Sequence, residues 1–394
     1  MKVLILSCNT GEGHNSSAGA VAQKFHNKGI ECDTVDALRF ISPAVSEMMA
    51  QGHRFVYRRL PGLFDWGYRF SEKHDFFYRK GAPLYAFLSL GAKKLADYIN
   101  ENGYDTVICA HVFTGVMMTE AKPLCSRNIL TSFLTTDYTC SPITEQSCLD
   151  MYFIPDNRVA DQFTARGVDK DRLIPTGIPV REDFYRMTAT ANAKTAEGIS
   201  PEHTHLVMMC GSMGCGPMAA ILRTMAEKLS ESMEMTVVCG NNKRLYEKLR
   251  TKYTDHPQIH IRGYVTDISR LMDAADVYLT KPGGISVTEA GVKRVPMVLV
   301  NAVGGCEQYN YDFFIGNGAA KTGRTVEELT DCCIELLLHP ETGESMGKIC
   351  GESIACHGAE EIVTHLVSAY ENTSRHLTFR MQNAGQTIQE EFAV

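Results

Sequence analysis

The chain has 394 residues, 44% of them hydrophobic and 22% charged, with a formal net charge of −7. That length predicts two domains, each able to bury its own core, and the acidic balance excludes a polyanion-binding surface over the protein as a whole. Fourteen cysteines without a C-x-x-C pair read as reduced, buried thiols of a cytosolic protein; no stretch approaches the roughly eighteen apolar residues of a spanning helix, and the apolar run after Lys2 is too short for a signal peptide.

Apolar runs alternate with helix-period segments along most of the chain, the pattern of parallel sheets covered by helices. The first half carries predicted strands at Val3–Cys8, Cys32–Val35, Thr106–Ala110, Leu130–Thr135, Met151–Ile154 and Arg172–Pro175. The second carries them at Leu206–Cys210, Thr236–Cys239, Ile259–Arg262, Val277–Thr280, Met297–Val300 and Ala319–Lys321. The division expected is a first domain over 1–186, a small, polar, aperiodic linker over 187–200, a second domain over 201–371 and a polar tail over 372–394. Ile362, Val363, Leu366, Val367 and Tyr370 keep helical spacing, so a packed helix precedes the tail.

The first strand runs into Thr10-Gly11-Glu12-Gly13-His14. A glycine turn between strand and helix lets backbone N–H groups approach an anion at the positive helix end. His14 stands at that helix start, where the dipole favours the neutral, basic imidazole. It reads either as a general base in a cleft or as a surface histidine.

The Gln51–Lys80 segment breaks the alternation. It holds nine aromatics, including Trp66, the lone tryptophan, and seven cations against three acids, a local net charge of +4 in an acidic chain. Arg58, Arg59, Trp66 and Arg69 make it a candidate for docking on anionic lipid headgroups; the alternative is a helical hairpin whose aromatics complete a core. Further on, Asp137 in Thr135-Thr136-Asp137-Tyr138 lies at the carboxyl end of a predicted strand, where active-site carboxylates of open α/β sheets gather. It orients a base or substrate, or it caps a helix.

The second half opens on another glycine turn, Gly211-Ser212-Met213-Gly214-Cys215-Gly216, after Leu206–Cys210. Two such turns, each heading its own half, predict two nucleotide-type domains facing a shared cleft. In Thr280-Lys281-Pro282-Gly283-Gly284-Ile285-Ser286-Val287-Thr288-Glu289-Ala290, a strand, a glycine turn and a helix start again offer N–H groups and a lysine to a diphosphate. Glu289 suits ribose hydroxyls or complements a helix dipole. Glu307 and Gln308, read in a loop after Met297–Val300, suit the hydroxyls of a hexose. No metal is implied: Asp169-Lys170-Asp171 reads as solvated surface, His203, His205, His256 and His260 lack partners at ligand spacing, and a P-loop is absent from the sequence.

On these motifs the chain resembles the monogalactosyldiacylglycerol synthase and processive diacylglycerol β-glucosyltransferase group, relatives of the peptidoglycan N-acetylglucosaminyltransferase that forms lipid II. The resemblance runs from Met1 to about residue 365 and rests on Thr10 to His14, Val237 to Lys243, Thr280 to Glu289 and Gly305 to Asn310. It implies a GT-B architecture, two Rossmann-like domains with a lipid acceptor in the first and a UDP-sugar in the second. It also implies inversion at the anomeric carbon, no catalytic metal and no cofactor. By the same resemblance His14 is the catalytic base and Gly11 and Gly13 belong to the acceptor loop; Asp137 is counted with His14 as a catalytic residue. Gly211, Ser212, Gly214, Tyr264, Lys281, Pro282, Gly283, Gly284, Ser286, Glu289, Glu307, Gln308 and Asn310 hold the donor. The expected partners are a UDP-hexose, diacylglycerol or a similar lipid, and an anionic membrane surface, with the chain peripheral on the inner face of the cell membrane and no nucleic acid involved.

The chain departs from that group after Asp137, where Ser141 and Thr144 stand in place of a histidine and a tryptophan. Two rival activities are a UDP-sugar epimerase of the same fold and a dinucleotide-dependent oxidoreductase; for the latter, Gly11 and Gly13 with Glu31 mimic the fingerprint but Ser16 replaces its third glycine. A non-enzymatic lipid-binding module would not need two anion turns.

Overall fold

In the computed structural model, residues 1–8, 12–214, 216–301, 304–354 and 357–372 are described, without the side chains at 53, 54, 57–59, 61 and 64. Gly11 and the tail beyond 372 therefore lie outside the described residues, as do the side chains of Arg58 and Arg59.

The first sheet takes β1 (Lys2–Ser7), β2 (Glu31–Asp36), β3 (Thr106–Cys109), β4 (Leu130–Leu134), β5 (Met151–Ile154) and β6 (Leu173–Pro175) in the order β2-β1-β3-β4-β5-β6, all parallel. The second takes β7 (Thr204–Met209), β8 (Met233–Val238), β9 (Ile259–Arg262), β10 (Val277–Thr280), β11 (Met297–Leu299) and β12 (Ala320–Thr322) in the order β12-β11-β10-β7-β8-β9, also parallel. All twelve predicted strands form, their ends displaced by a few residues at most. Strands such as Val3–Leu6 are wholly buried because helices cover both faces of a parallel sheet, and their sequences are correspondingly continuous apolar runs.

Three helices of the first half matter most for the site. α1 (Glu12–Asn27) follows β1 and packs Ala18, Val21 and Phe25 against the sheet. α2 (Pro43–Arg59) starts on Ser42, whose hydroxyl accepts the Ala44 N–H, with proline at the first helical position where no N–H is needed. α3 (Pro61–Lys73) follows at once.

Packing divides the chain differently from the sequence reading. Ile178, Val180 and Phe184 already belong to a core cluster of the second sheet, so the crossover comes soon after β6 rather than at 186. The expected linker is not loose: Thr190–Glu197 is a helix with Ala193, Lys194 and Glu197 buried. Lys194 pairs with Asp276 at 2.7 Å, and Glu197 pairs with Arg262 and Arg270 of the second half. Its apolar content is low because charge pairing, not a hydrophobic stripe, fastens it. The helix over 358–372 returns to the first sheet, where Ala359, Ile362, Val363 and Leu366 pack against Val3, Ile5 and Phe153. A sequence scan sees only that this helix has an apolar face, not which sheet that face meets.

Candidate active site

In each sheet the strand order reverses between two neighbouring strands, and the crevice outside their carboxyl ends is where open α/β folds bind ligands. In the first sheet the reversal lies at β1 and β3, followed by His14 and His111. In the second it lies at β7 and β10, followed by the Gly211–Gly216 and Lys281–Gly284 turns. The two crevices face each other. A Cβ on Gly13 would lie 3.3 Å from Ile285 Cγ1, so the start of α1 abuts the start of the Gly284–Val292 helix.

His14 is half-buried, with Nδ1 3.0 Å from the Thr136 hydroxyl and its ring edge-on to His111 at 4.9 Å between centroids. Desolvation lowers its pKa to about 4, against a backbone hydrogen bond at Ala110 that favours the cation, so the imidazole is neutral at neutral pH. His111 caps the Val112–Ala121 helix, its Nδ1 accepting the Phe113 N–H at 3.2 Å. Nε2 then carries the proton.

Asp137 does not hold the histidine; its neighbour Thr136 does. Asp137 Oδ1 instead accepts the Asn310 side-chain amide across the cleft at 2.8 Å. Desolvation raises the pKa of this carboxyl to about 6; the Asn310 bond and Lys281 oppose the shift and Glu307 adds to it. It caps no helix. Gly284 touches the same strand end, since a Cβ there would fall 2.1 Å from the Thr136 carbonyl oxygen. Any side chain at Gly284 would push the halves apart. Tyr138 completes the junction: fully buried among second-half residues, it bonds Thr288 at 3.0 Å. Its burial contributes roughly 2–3 kcal/mol.

On the second side the expected donor residues gather around one turn. Gly211 has φ +73, and a Cβ there would lie 2.7 Å from Lys281 Cε, so the turn needs glycine for both conformation and space. Ser212 and Gly214 fasten it: their carbonyls accept the Asn241 N–H at 2.8 Å and the Asn242 amide at 3.1 Å. Lys281 Nζ contacts Glu307 Oε1. Pro282 offers its carbonyl to Asn310 at 3.0 Å, Gly283 precedes the helix, and Ser286 lies in that helix's first turn. Glu289 lies in its second turn. Its carboxyl is buried; desolvation raises its pKa to about 8, opposed by Arg181. Glu307 and Gln308 prove to be helical, in the first turn of Cys306–Gly316. Gln308 bonds Asp312 at 2.9 Å on the exposed side. Tyr264 is 64% exposed, off the β9 end, and no polar contact draws it into the group.

A cavity of about 640 Å³ opens from His14, His111, Thr136 and Asp137 toward α2 and α3. Met48, Met49, Val56, Val112, Phe113, Phe133 and Ile143 make most of its wall apolar, with Tyr68, Ser71, Ser141 and Cys306 on the remaining side. Beyond it α3 exposes Leu63 (51%) and Trp66 (62%), while Arg69 pairs with Asp65 at 3.0 Å. The aromatics of 51–80 thus complete no core as a set: Tyr78 is buried, but Phe55, Trp66, Phe76 and Phe77 are exposed. Sequence reading missed Thr136, His111 and Tyr68. Adjacency to Asp137 was the signal for the first and position after β3 for the second; the third has no signal short of the fold. His203 and His260 do have a carboxylate partner, Glu234, at 2.9 and 2.7 Å. Among the described residues no group of three or more such side chains is placed to hold a metal ion.

Two family profiles match: monogalactosyldiacylglycerol (MGDG) synthase over residues 14–180 and glycosyl transferases group 1 over 221–350. The processive diacylglycerol beta-glucosyltransferase of Bacillus pumilus is 27% identical over 386 residues, covering 96% of this chain and 97% of that protein. Among solved structures, Acinetobacter baumannii MurG superposes with a TM-score of 0.63 at 15% identity, covering 93% of this chain and 99% of its own. The UDP-GlcNAc 2-epimerase of Neisseria meningitidis bound to UDP-GlcNAc gives 0.62 at 13%, covering 93% and 100%. The fold is therefore GT-B, an architecture that both kinds of protein share; the sequence relatives side with transfer to a lipid.

Proposed function

We propose that this chain, which belongs to the monogalactosyldiacylglycerol synthase and processive diacylglycerol β-glucosyltransferase family, is an inverting enzyme that moves a hexose from a UDP-sugar to a diacylglycerol-type lipid. One observation carries this reading: the apolar cavity ends on a neutral imidazole, His14, directly opposite the turns that carry Lys281 and Glu289.

The acceptor hydroxyl enters along the cavity, its acyl chains against Met48, Met49 and Ile143. About 640 Å³ holds a glycerol unit and the first methylenes, so the rest of the lipid stays in its bilayer. With the Nδ1 proton toward Thr136, His14 Nε2 takes the hydroxyl proton as the oxygen attacks the anomeric carbon. The bond from that carbon to the β-phosphate oxygen breaks, and UDP leaves with its electron pair. The N–H groups at Gly211–Gly216 and Gly283–Gly284, with Lys281, receive the diphosphate charge, and Glu289 takes the ribose hydroxyls. Attack from the His14 side with departure on the other inverts the configuration. Asp137, holding Asn310, sets the two halves at reacting distance and acts as a positioning residue.

The first half meets the membrane without crossing it; among the described residues no helix is long and apolar enough to span one. Exposed Leu63 and Trp66 with the cations of 51–80 support docking on an anionic surface. Incubation with UDP-glucose or UDP-galactose and diacylglycerol in mixed micelles, followed by mass spectrometry, tests the reading. A lipid heavier by a hexose is expected; UDP-sugar isomerisation without glycolipid would replace it with the epimerase.

A further inference from the structure

α3 has two faces that meet different surroundings. Asp65, Tyr68 and Glu72 stand at i, i+3 and i+7 and so share one face; Leu63, Trp66 and Phe70 share another at the same spacing. The second face is open, with Trp66 stacked on Phe70 at 5.3 Å between centroids. The first covers the second half's sugar turn. Asp65 Oδ1 accepts the Gly305 N–H at 3.2 Å, and Glu72 Oε1 accepts the Tyr309 hydroxyl at 2.7 Å. Between them the Tyr68 hydroxyl is buried beside Ser141, Cys306 and Asp137. Gly304 has φ +107, and a Cβ there would lie 2.2 Å from Asp65 Oδ1, so the approach of α3 is fitted to a glycine.

We infer that Asp65 and Glu72 are positioning residues for the donor-sugar turn Gly304–Tyr309, held in place when the Leu63–Trp66–Phe70 face of α3 rests on a lipid surface. The inference rests on the proposed function for the identity of the donor. Asp65 places a carboxylate at the positive end of the Cys306–Gly316 helix, and Glu72 fixes its next residues through Tyr309. Together they set the turn that carries Glu307 and Gln308. The donor-side face holds α3 through these two hydrogen bonds; lipid against the open face adds a second hold on the same helix. Because coupling between two binding events is reciprocal, a surface that seats α3 must tighten the sugar's hold.

Titration calorimetry with UDP-glucose, UDP-galactose and UDP, with and without phosphatidylglycerol vesicles lacking diacylglycerol, tests this. For the parent, vesicles should tighten UDP-hexose binding by about tenfold, the size of one hydrogen bond to a charged group, and leave UDP unchanged. Asp65→Ala, Glu72→Ala and Tyr309→Phe should each remove most of that gain without altering UDP affinity, and should raise donor KM with acceptor KM unchanged. Glu72→Gln, which keeps an oxygen for the Tyr309 hydroxyl, should retain it. Parent binding indifferent to vesicles, or variants that lose UDP together with the hexose, would overturn the inference. If no uridine nucleotide binds the parent, the transferase reading itself falls.

Discussion

Asn310 of the second half donates its side-chain amide to Asp137 Oδ1 of the first at 2.8 Å, while its own oxygen accepts the Tyr138 N–H at 2.7 Å. With the second amide hydrogen bond to Pro282 O, the fully buried side chain is a strut between the two crevices. Asn310→Asp would set a second carboxylate against Asp137 and the Pro282 carbonyl. That change should cost on the order of 3 kcal/mol of stability, read by urea unfolding, and lower kcat more than it raises donor KM. Unchanged stability would show that the strut carries nothing.

His14 and Asp137 titrate on the acid side of neutrality. A base whose pKa is about 4 stays competent until that pH, whereas a carboxyl at about 6 loses its charge earlier. The parent's kcat should therefore fall as pH drops through about 6. In Asp137→Asn that limb should move to about pH 4. His14→Ala should lower kcat by about 10²–10⁴ while UDP still binds; near-full turnover would remove the histidine from the mechanism.

With Glu289 on the ribose as proposed, donor binding should release a proton. The Glu289 carboxyl, at about 8 when unliganded, is protonated at pH 7 and must ionise to accept two ribose hydroxyls. UDP titrated in buffers of different ionisation heat should release close to one proton, and Glu289→Gln none. A raised carboxyl pKa favours the folded state at low pH and loses that contribution as pH rises from 4.5 through about 8. Unliganded stability should decline over that window. Equal proton release by parent and variant would put the ribose elsewhere.

Docking on lipid should weaken with salt, since each Lys or Arg near an anionic surface contributes about 1 kcal/mol and screening shortens its reach. Arg58, Arg59 and Arg69 changed together to Ser should reduce co-sedimentation with phosphatidylglycerol vesicles, and Leu63→Ser with Trp66→Ser should reduce it at every salt concentration. Variants that fold and pellet as the parent does would place the anchor outside 51–80.

The strands and the second glycine turn were legible because buried parallel strands are apolar without interruption and because Gly211 stands where φ is positive. The place of His14 at the start of α1 was legible for a similar local reason. What the sequence hid depends on distant pairing. Thr136 rather than Asp137 supports His14 because the strand end presents alternate residues to the two halves. The 187–200 segment looked like a linker because its anchors, Lys194 and Glu197, find partners at Asp276, Arg262 and Arg270. Asp65 and Glu72 lie 240 and 237 residues from the groups they bind, a separation no local pattern spans.

The most direct test of the account is UDP release from UDP-glucose and UDP-galactose, followed continuously with and without diacylglycerol, in buffer with EDTA. Transfer to lipid by a neutral imidazole, without metal, predicts release only when diacylglycerol is present, undiminished by EDTA and lost in His14→Ala. Release independent of diacylglycerol, or abolished by EDTA and restored by Mg²⁺, would contradict it.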